Sequence, residues 1–326
     1  MFKFRTISLH LALLGLALTL SGALVAQEDE AAAATEIVEA PGPADPIPLG
    51  APPIEGLLFV GTSTNTNVPS DTLNDIFTVD PNTDSANAIV SSVQVWGATA
   101  DPTNQRVLFT RASGLPPAIG QIGGGDELME IPYAGGGPSV IGRITLAGEG
   151  VRVDGLALSG GVLYGFNAGN GADNGFYTID MGTLEATLVA ANPDSISGLD
   201  ADPDTGIIYG VNDTSGQLVT IASDGTVSNV AAYPAGIGDI DGLAVGNGFA
   251  YLVTDESQPI SVYDLNTGVY VSDLTSPFVQ ADTFSGAAYA VSGELPEAVL
   301  VPAVSFWGLA FLGLIVLGIA VVAIRR

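Results

Sequence analysis

Hydrophobic residues in the middle of the chain come in short runs that are broken every few residues by polar or turn-forming residues. From Gly56 to residue 293, runs of Val, Ile, Leu, Phe, Tyr and Thr alternate with Gly, Asn, Asp and Pro, and no stretch shows a convincing helical period. Short runs of β-branched and aromatic residues bounded by turn formers are typical of strands. The pattern predicts an all-β domain over residues 56–293.

A recurring segment divides this domain into units of similar length. It reads VWGATA at 95–100, VDGLAL at 153–158, ISGLDA at 196–201, IDGLAV at 240–245 and FSGAAY at 284–289. Its glycines are Gly97, Gly155, Gly198, Gly242 and Gly286. Except for a Gly- and Pro-rich insertion at 111–127, the intervals are close to 44 residues and hold four short apolar runs each. A unit of four strands with this period is typical of a propeller blade.

The two ends of the array complete each other. The first unit, 56–93, offers only three strands and lacks the Gly-containing opener, whereas the last opener, 284–291, has no strands after it. Pairing the two would complete a blade and remove the exposed edges of an open array. We therefore predict a five-bladed β-propeller with ring closure between its N- and C-terminal strands; a β-sandwich, the main alternative, needs no units of constant length.

One aromatic residue also recurs in each unit. The five are Phe59, Phe109, Tyr164, Tyr209 and Tyr251. Neighbouring blades of a propeller face each other, so we expect these rings to fill the space between blades.

The first 26 residues have the composition of a secretory signal peptide. They begin with Lys3 and Arg5, continue in a largely apolar run and end in small residues, so that cleavage is expected after Ala23 or Ala26. Residues 27–55 are rich in Ala, Pro and acidic residues, which predicts a flexible linker.

The chain ends in an uncharged apolar segment followed by two arginines. After a short linker at 294–302, the 22 residues 303–324 carry no charge. A helix of this length would span about 33 Å, enough for one membrane crossing. Basic residues flank membrane spans on the cytoplasmic side, so Arg325 and Arg326 are expected there, with the acidic domain outside.

The charged residues between these two ends are nearly all acidic. Residues 27–300 hold four Arg and no Lys against all 35 Asp and Glu of the chain. The single Lys and the single His10 lie within residues 1–26, and there is no Cys. A mature chain of this composition cannot build a Ser-His-Asp triad, a Cys nucleophile, a Schiff-base lysine or an ordinary structural zinc site. Its charge disfavours nucleic acid and anionic lipid as partners and attracts cations.

The residue before each repeat glycine is a candidate for a site on the propeller axis. These residues are Trp96, Asp154, Ser197, Asp241 and Ser285. The first strand of each blade lines the central channel, so Asp154, Asp241, Ser197 and Ser285 could hold Ca²⁺ through oxygen ligands. Alternatively, the same Asp and Ser side chains bond to neighbouring backbone. No other cofactor is expected.

The same two carboxylates prompt an enzymatic alternative. Asp154 and Asp241 could act as the paired acids of a glycosidase or lyase that uses the central channel. Sugar sites also contain aromatic and Arg contacts, of which only Trp96 and Arg152 lie near the openers. We therefore expect a non-catalytic scaffold or binding module, for a carbohydrate, a protein or a cation.

Two strand–turn–strand segments resemble a known group of extracellular propellers. ISVYDLNTG at 260–268 and GFYTIDMGTLEA at 175–186 are similar to the units of YVTN-type repeats. Members of that group share an architecture rather than one activity, so the resemblance implies the fold alone.

The tail VPAVSFWGLAFL resembles the IPTLxxWG C-terminal sorting signal of Gram-negative bacteria. Pro302, Trp307 and Gly308 match in register, and Ser305 stands where Ser is common; Ala303 and Val304 replace Thr and Leu. The resemblance implies an exosortase-type membrane enzyme as a partner, tail removal, and a place in the bacterial envelope or at the cell surface. A permanent anchor is the alternative.

Overall fold

The computed structural model describes most of the propeller region and the three residues before it. The described residues are 53–63, 75–91, 93–113, 125–167, 174–191, 196–278 and 284–291. Their regular structure is entirely β-strand, and within them there is no helix with the length and hydropathy of a membrane span. The predicted signal peptide, most of the predicted linker at 27–55 and the predicted C-terminal helix lie outside the described residues.

Twenty strands of the described chain form five four-stranded antiparallel sheets, which we call blades 1 to 5. Blade 1 contains β1 (Leu58–Ser63), β2 (Ile76–Asp80), β3 (Ser85–Val90) and the last strand, β22 (Phe284–Tyr289). Blade 2 contains β4 (Ala98–Asp101), β5 (Arg106–Arg111), β6 (Glu127–Pro132) and β7 (Ser139–Arg143). A small ribbon of β8 (Thr145–Leu146) and β9 (Glu149–Gly150) follows.

The other three blades repeat the same order. Blade 3 contains β10 (Gly155–Ser159), β11 (Val162–Asn167), β12 (Gly175–Ile179) and β13 (Ala186–Ala191). Blade 4 contains β14 (Ile196–Ala201), β15 (Ile208–Asn212), β16 (Gln217–Ile221) and β17 (Val227–Ala232). Blade 5 contains β18 (Ile240–Gly246), β19 (Phe249–Thr254), β20 (Ser261–Asp264) and β21 (Val269–Tyr270).

The recurring segment forms the innermost strand of every blade. These strands are β22, β4, β10, β14 and β18, and each contacts the inner strands of both neighbouring blades. The ring is therefore continuous, and the prediction of a five-bladed propeller is confirmed. The constant period of the sequence follows from this, because each unit builds the same radial sheet.

Ring closure also takes the predicted form. β22 pairs with β1 along its whole length, from Phe284 opposite Ser63 to Tyr289 opposite Leu58. The junction is reinforced by Phe284, whose ring centroid lies 5.5 Å from that of Trp96 in the segment leading into blade 2. The strand that closes blade 1 is thus fixed by main-chain pairing on one side and by an aromatic contact on the other.

The core lies between the blades. All five recurring aromatic residues are buried, and each belongs to an apolar cluster contributed by two adjacent blades. Phe59 of blade 1 contacts Phe109 of blade 2, for example, with ring centroids 5.5 Å apart. The expectation that these rings fill the spaces between blades is confirmed.

Candidate functional site

The five residues that precede the repeat glycines lie together at one end of the ring, where the inner strands begin. All five side chains are buried. Their contacts, however, divide them into an aromatic and ion-paired group, two backbone-bonded serines, and Asp241.

Asp154 is held by an arginine. Its Oδ1 accepts a hydrogen bond from Nε of Arg152 at 2.5 Å, and the Asp154 side chain is fully buried. The guanidinium carbon of Arg152 lies 4.8 Å from the ring centroid of Trp96, a cation–π arrangement. The arginine therefore neutralises the buried carboxylate and joins it to the aromatic contact at the ring closure.

The two serines form the backbone contacts that the sequence left open as an alternative. The hydroxyl of Ser285 donates to the carbonyl oxygen of Val253 at 3.1 Å. The hydroxyl of Ser197 lies 2.9 Å from the carbonyl oxygen of Ile240 and 3.0 Å from Oδ2 of Asp213. Both serines thereby link their own blade to blade 5.

Asp241 lies among other acidic residues. The carboxylate cluster, as we call it, consists of Asp213, Asp239, Asp241, Asp255 and Glu256. Carboxylate oxygens of Asp213, Asp239 and Asp241 lie within 4.8 Å of one another, and so do those of Asp239, Asp255 and Glu256. Asp239 is common to both groups of three.

Three loop or strand-end segments bring the carboxylate cluster together. Asp213 directly follows β15 of blade 4, and Asp255 and Glu256 directly follow β19 of blade 5. Asp239 and Asp241 flank the start of β18, where the register between β18 and β19 shifts between Ile240 and Gly242. Bulges of this kind re-aim a side chain relative to the regular ladder, and here the irregularity falls on Asp241.

The surroundings of the carboxylate cluster disfavour negative charge. Burial raises the pKa of Asp241 well above its usual value, and the four neighbouring carboxylates raise it further. Burial also raises the pKa of Asp213 to about 6, although Ser197 and Tyr233 donate hydrogen bonds to its carboxylate. A cation in the carboxylate cluster would reverse both effects, since it stabilises the ionised form.

The structure thus gives the residues of the predicted axial cation site different partners. Asp154 is paired with Arg152 and Ser285 with a carbonyl oxygen, whereas Asp241 and Ser197 lie at the carboxylate cluster. A cation held by all four predicted residues stays a prediction, as does the pairing of Asp154 with Asp241 in catalysis.

Sequence reasoning missed four of the five acidic residues in the carboxylate cluster, although the repeat carries a signal for two of them. Asp213 follows the recurring Tyr209 by four residues, and Asp255 follows Tyr251 by four residues. Acidic residues at one repeat position in consecutive blades come close in space because consecutive blades are neighbours.

A second buried carboxylate that the sequence did not single out, Asp200, joins several inner strands. Oδ1 of Asp200 accepts from the Thr99 hydroxyl at 2.7 Å, and its Oδ2 accepts from the Val245 amide at 2.8 Å. Thr99 in turn accepts from the Leu158 amide. These bonds connect blades 2, 3, 4 and 5, while burial raises the pKa of Asp200 to about 8.

The sorting residues Pro302, Ser305, Trp307, Gly308, Arg325 and Arg326 lie outside the described residues.

No family model matches the chain, and no curated protein matches it.

Several solved structures are similar to this chain, although their sequence identity to it is low. A nidogen/laminin complex is 14% identical with a TM-score of 0.47, covering 72% of this chain and 98% of that one. A structural genomics protein of unknown function from Bacteroides thetaiotaomicron is 14% identical with a TM-score of 0.44, covering 72% of each. The hydrazine synthase of Kuenenia stuttgartiensis is 15% identical with a TM-score of 0.36, covering 56% and 49%. At such values, function has to be inferred from the residues of the site.

Proposed function

We propose that this protein is an exported, envelope- or surface-sorted β-propeller that acts as a non-catalytic binding module or scaffold. The proposal rests on the contacts that the side chains at the start of the inner strands make. Asp154 is ion-paired, and the hydroxyls of Ser197 and Ser285 bond to carbonyl oxygens of blade 5. Side chains that hold neighbouring blades together in this way are poor candidates for catalytic groups.

The same geometry disfavours the glycosidase or lyase alternative. Such a mechanism needs two carboxyl groups that both reach one sugar. Asp154 is fully buried against Arg152, and Asp241 is 6% exposed and faces four other carboxylates. A sugar ring could not contact both without displacing these partners, so this arrangement favours binding over hydrolysis.

The outer surface supplies what a binding module needs. The outermost strands of blades 2 to 5 carry exposed aliphatic side chains, namely Val140, Leu188, Val230 and Val269. The four arginines of the domain are all ion-paired, so the remaining acidic residues dominate its surface. A carbohydrate, or a protein with a basic or neutral face, suits this surface better than an anionic partner.

Export and sorting rest on the two ends of the chain. Residues 1–26 would direct secretion, and residues 303–326 would hold the protein in the membrane until an exosortase-type enzyme acts near Pro302. A propeller with strong negative charge and no disulfide-forming Cys is compatible with either a free or an anchored final state.

The proposal is tested by binding and activity measurements on the full chain. Purified protein is applied to a glycan array and to envelope extracts, with a chain ending at residue 283, which lacks the closing strand, as the control. Saturable binding that the control loses is the expected result. Hydrolysis of chromogenic glycosides that is abolished in both Asp154→Asn and Asp241→Asn would overturn the proposal in favour of the enzyme.

A further inference from the structure

Blades 3, 4 and 5 have no basic side chain with which to balance their carboxylates. Between Arg152 and Arg325 the sequence contains no Lys, Arg or His. Arg152 itself is bonded to Asp154 and stacked on Trp96. The carboxylate cluster at the junction of blades 4 and 5 therefore has to obtain positive charge from protons or from solution.

Asp241 differs from most of the other buried aspartates of the described residues in having no hydrogen-bond donor. Arginines or N–H and O–H groups contact the buried carboxylates elsewhere, as at Asp101, Asp126, Asp154 and Asp200. Among the described residues, no N–H or O–H donates to the carboxylate of Asp241, which is 6% exposed. The Oε2 atom of Glu256 in the same cluster is also buried without a hydrogen-bond partner. Buried carboxylates left in this state are strongly destabilising.

We propose that the carboxylate cluster binds a divalent cation of the Ca²⁺ class, with Asp213, Asp239 and Asp241 as its central ligands and Asp255 and Glu256 beside them. Calcium–oxygen distances of about 2.3–2.6 Å place two ligand oxygens of one ion no more than about 5 Å apart. Oxygens of both groups of three lie within 4.8 Å of one another. The oxygens of Asp213, Asp239 and Asp241 are therefore already spaced as ligands of one ion.

The ligand chemistry selects the cation. Every candidate ligand is a carboxylate oxygen, and the mature chain lacks His and Cys, so a hard cation is favoured over zinc or copper. Asp213 already accepts from Ser197 and Tyr233, but a carboxylate has about four acceptor positions and keeps room for a metal. Asp239 is exposed and Asp241 is buried, so the cluster has a path from solvent to its interior.

The cation would act as a clamp between two blades. Asp213 belongs to blade 4, and Asp239, Asp241, Asp255 and Glu256 belong to blade 5. This inference goes beyond the proposed function and does not depend on it, because a cation that stabilises the ring needs no external partner. It also differs from the axial site predicted on sequence, since Asp154 is not among the ligands.

Thermal unfolding of the full chain in mild detergent tests the proposal. After treatment with EDTA, added CaCl₂ should raise the Tm of the wild type by about 5–10 °C at a hundredfold excess over Kd. Asp241→Asn should lose this rise, yet in EDTA it should unfold no lower than the wild type, since it replaces a buried carboxyl group that has no hydrogen-bond donor. Asp180→Asn, which removes one exposed carboxylate from a turn of blade 3, should respond like the wild type.

Three outcomes of this experiment would contradict the proposed cation site. The proposal is overturned if the wild type shows no rise up to about 10 mM Ca²⁺, tenfold above the weak end of extracellular calcium sites. It is equally overturned if Asp241→Asn keeps the rise, or if Asp180→Asn loses as much of it, since the effect would then be general screening.

A local optical signal gives a second measurement should Asp241→Asn fail to fold. Tb³⁺ takes the same oxygen ligands as Ca²⁺ and emits when a nearby tyrosine is excited. The Tyr233 hydroxyl lies 3.2 Å from Oδ1 of Asp213, so tyrosine-sensitised Tb³⁺ emission should appear and Ca²⁺ should displace it. Tyr233→Phe should reduce the emission more than twofold while retaining the Ca²⁺-induced rise in Tm; undiminished emission would place the ion elsewhere.

Discussion

The backbone carbonyl oxygen of Asp241 occupies the space that a side chain on Gly198 would need. A Cβ atom at Gly198 would stand less than 3.0 Å from that oxygen. The relation repeats around the ring: Gly97 faces the carbonyl of Asp154, Gly155 that of Ser197, and Gly286 that of Trp96. Each repeat glycine thus packs against the residue before the next repeat glycine, which is why five inner strands can approach one axis so closely.

We expect Gly198→Ala to destabilise the ring by about 1–3 kcal/mol or more, because the added methyl group meets backbone that cannot rotate away. Gly238→Ala is the matched control, since a Cβ there meets nothing within 4 Å and its φ is not positive. The control should unfold within about 1 kcal/mol of the wild type. Chemical denaturation compares the two, and equal stabilities would contradict close packing of the inner strands.

The architecture could be predicted from the sequence because similar residues recur at regular intervals along the chain. The glycines mark the inner strands, and the incomplete first and last units predicted the pairing of β22 with β1. Both features are periodic, and a periodic chain that folds into equal units has few alternatives.

The candidate site could be predicted only in part, because its contacts do not follow the period. The approach of Arg152 to Asp154 and the donors on Asp200 depend on side-chain geometry in loops and across the axis. Asp239 lies in a loop and has a left-handed φ of 58°. No recurring position of the sequence predicts this conformation. Sequence alone therefore identified Asp241 and left its four neighbours unassigned.

A second prediction concerns ring closure. Phe284→Ala should lower the free energy of unfolding by about 3–5 kcal/mol, because Phe284 is 6% exposed and packs on Trp96 at the junction of blades 1 and 2. Val269→Ala, at an exposed position 54% accessible on an outer strand, should change stability by less than about 1 kcal/mol.

Trp96 and Trp307 are the two Trp residues of the chain, so in a Trp307→Phe background tryptophan fluorescence reports this junction directly. The emission should shift with the same midpoint as the loss of β-sheet circular dichroism. A chain that ends at residue 283 should lose cooperative unfolding; a melt at nearly the wild-type temperature would contradict closure by β22.

A third prediction is a pH dependence that originates at Asp200. Its pKa rises from 3.8 to about 8 on folding, so between these values the folded state binds more protons than the unfolded state. Stability from this group is complete below about pH 4 and is lost as the pH rises towards 8. The free energy of unfolding without added divalent cations should therefore fall between pH 5 and 8, by on the order of a few kcal/mol from this residue.

Asp200→Asn isolates the contribution, because an amide does not titrate in this range. The variant should start less stable at pH 5, since the NH₂ group of its amide cannot accept the hydrogen bond from the Val245 amide, and should lose less stability towards pH 8 than the wild type. Asp180→Asn, an exposed turn variant, should keep the wild-type slope. Parallel curves for the wild type and Asp200→Asn would show that Asp200 does not hold its proton.

The fourth prediction separates sorting from anchoring at the C-terminus. A plain anchor needs only the apolar residues 303–324 and the basic pair that follows, whereas the sorting signal also needs Pro302 and Trp307–Gly308. If the tail is removed, mass spectrometry of the mature protein should find no peptide that runs through Trp307 to the end of the chain. Replacing Pro302 and Trp307 with Ala leaves the apolar length unchanged, so the variant should insert normally and accumulate as the longer, uncleaved form. Intact C-terminal peptides in the wild type, or identical masses for the wild type and the double variant, would instead make this segment a permanent membrane anchor.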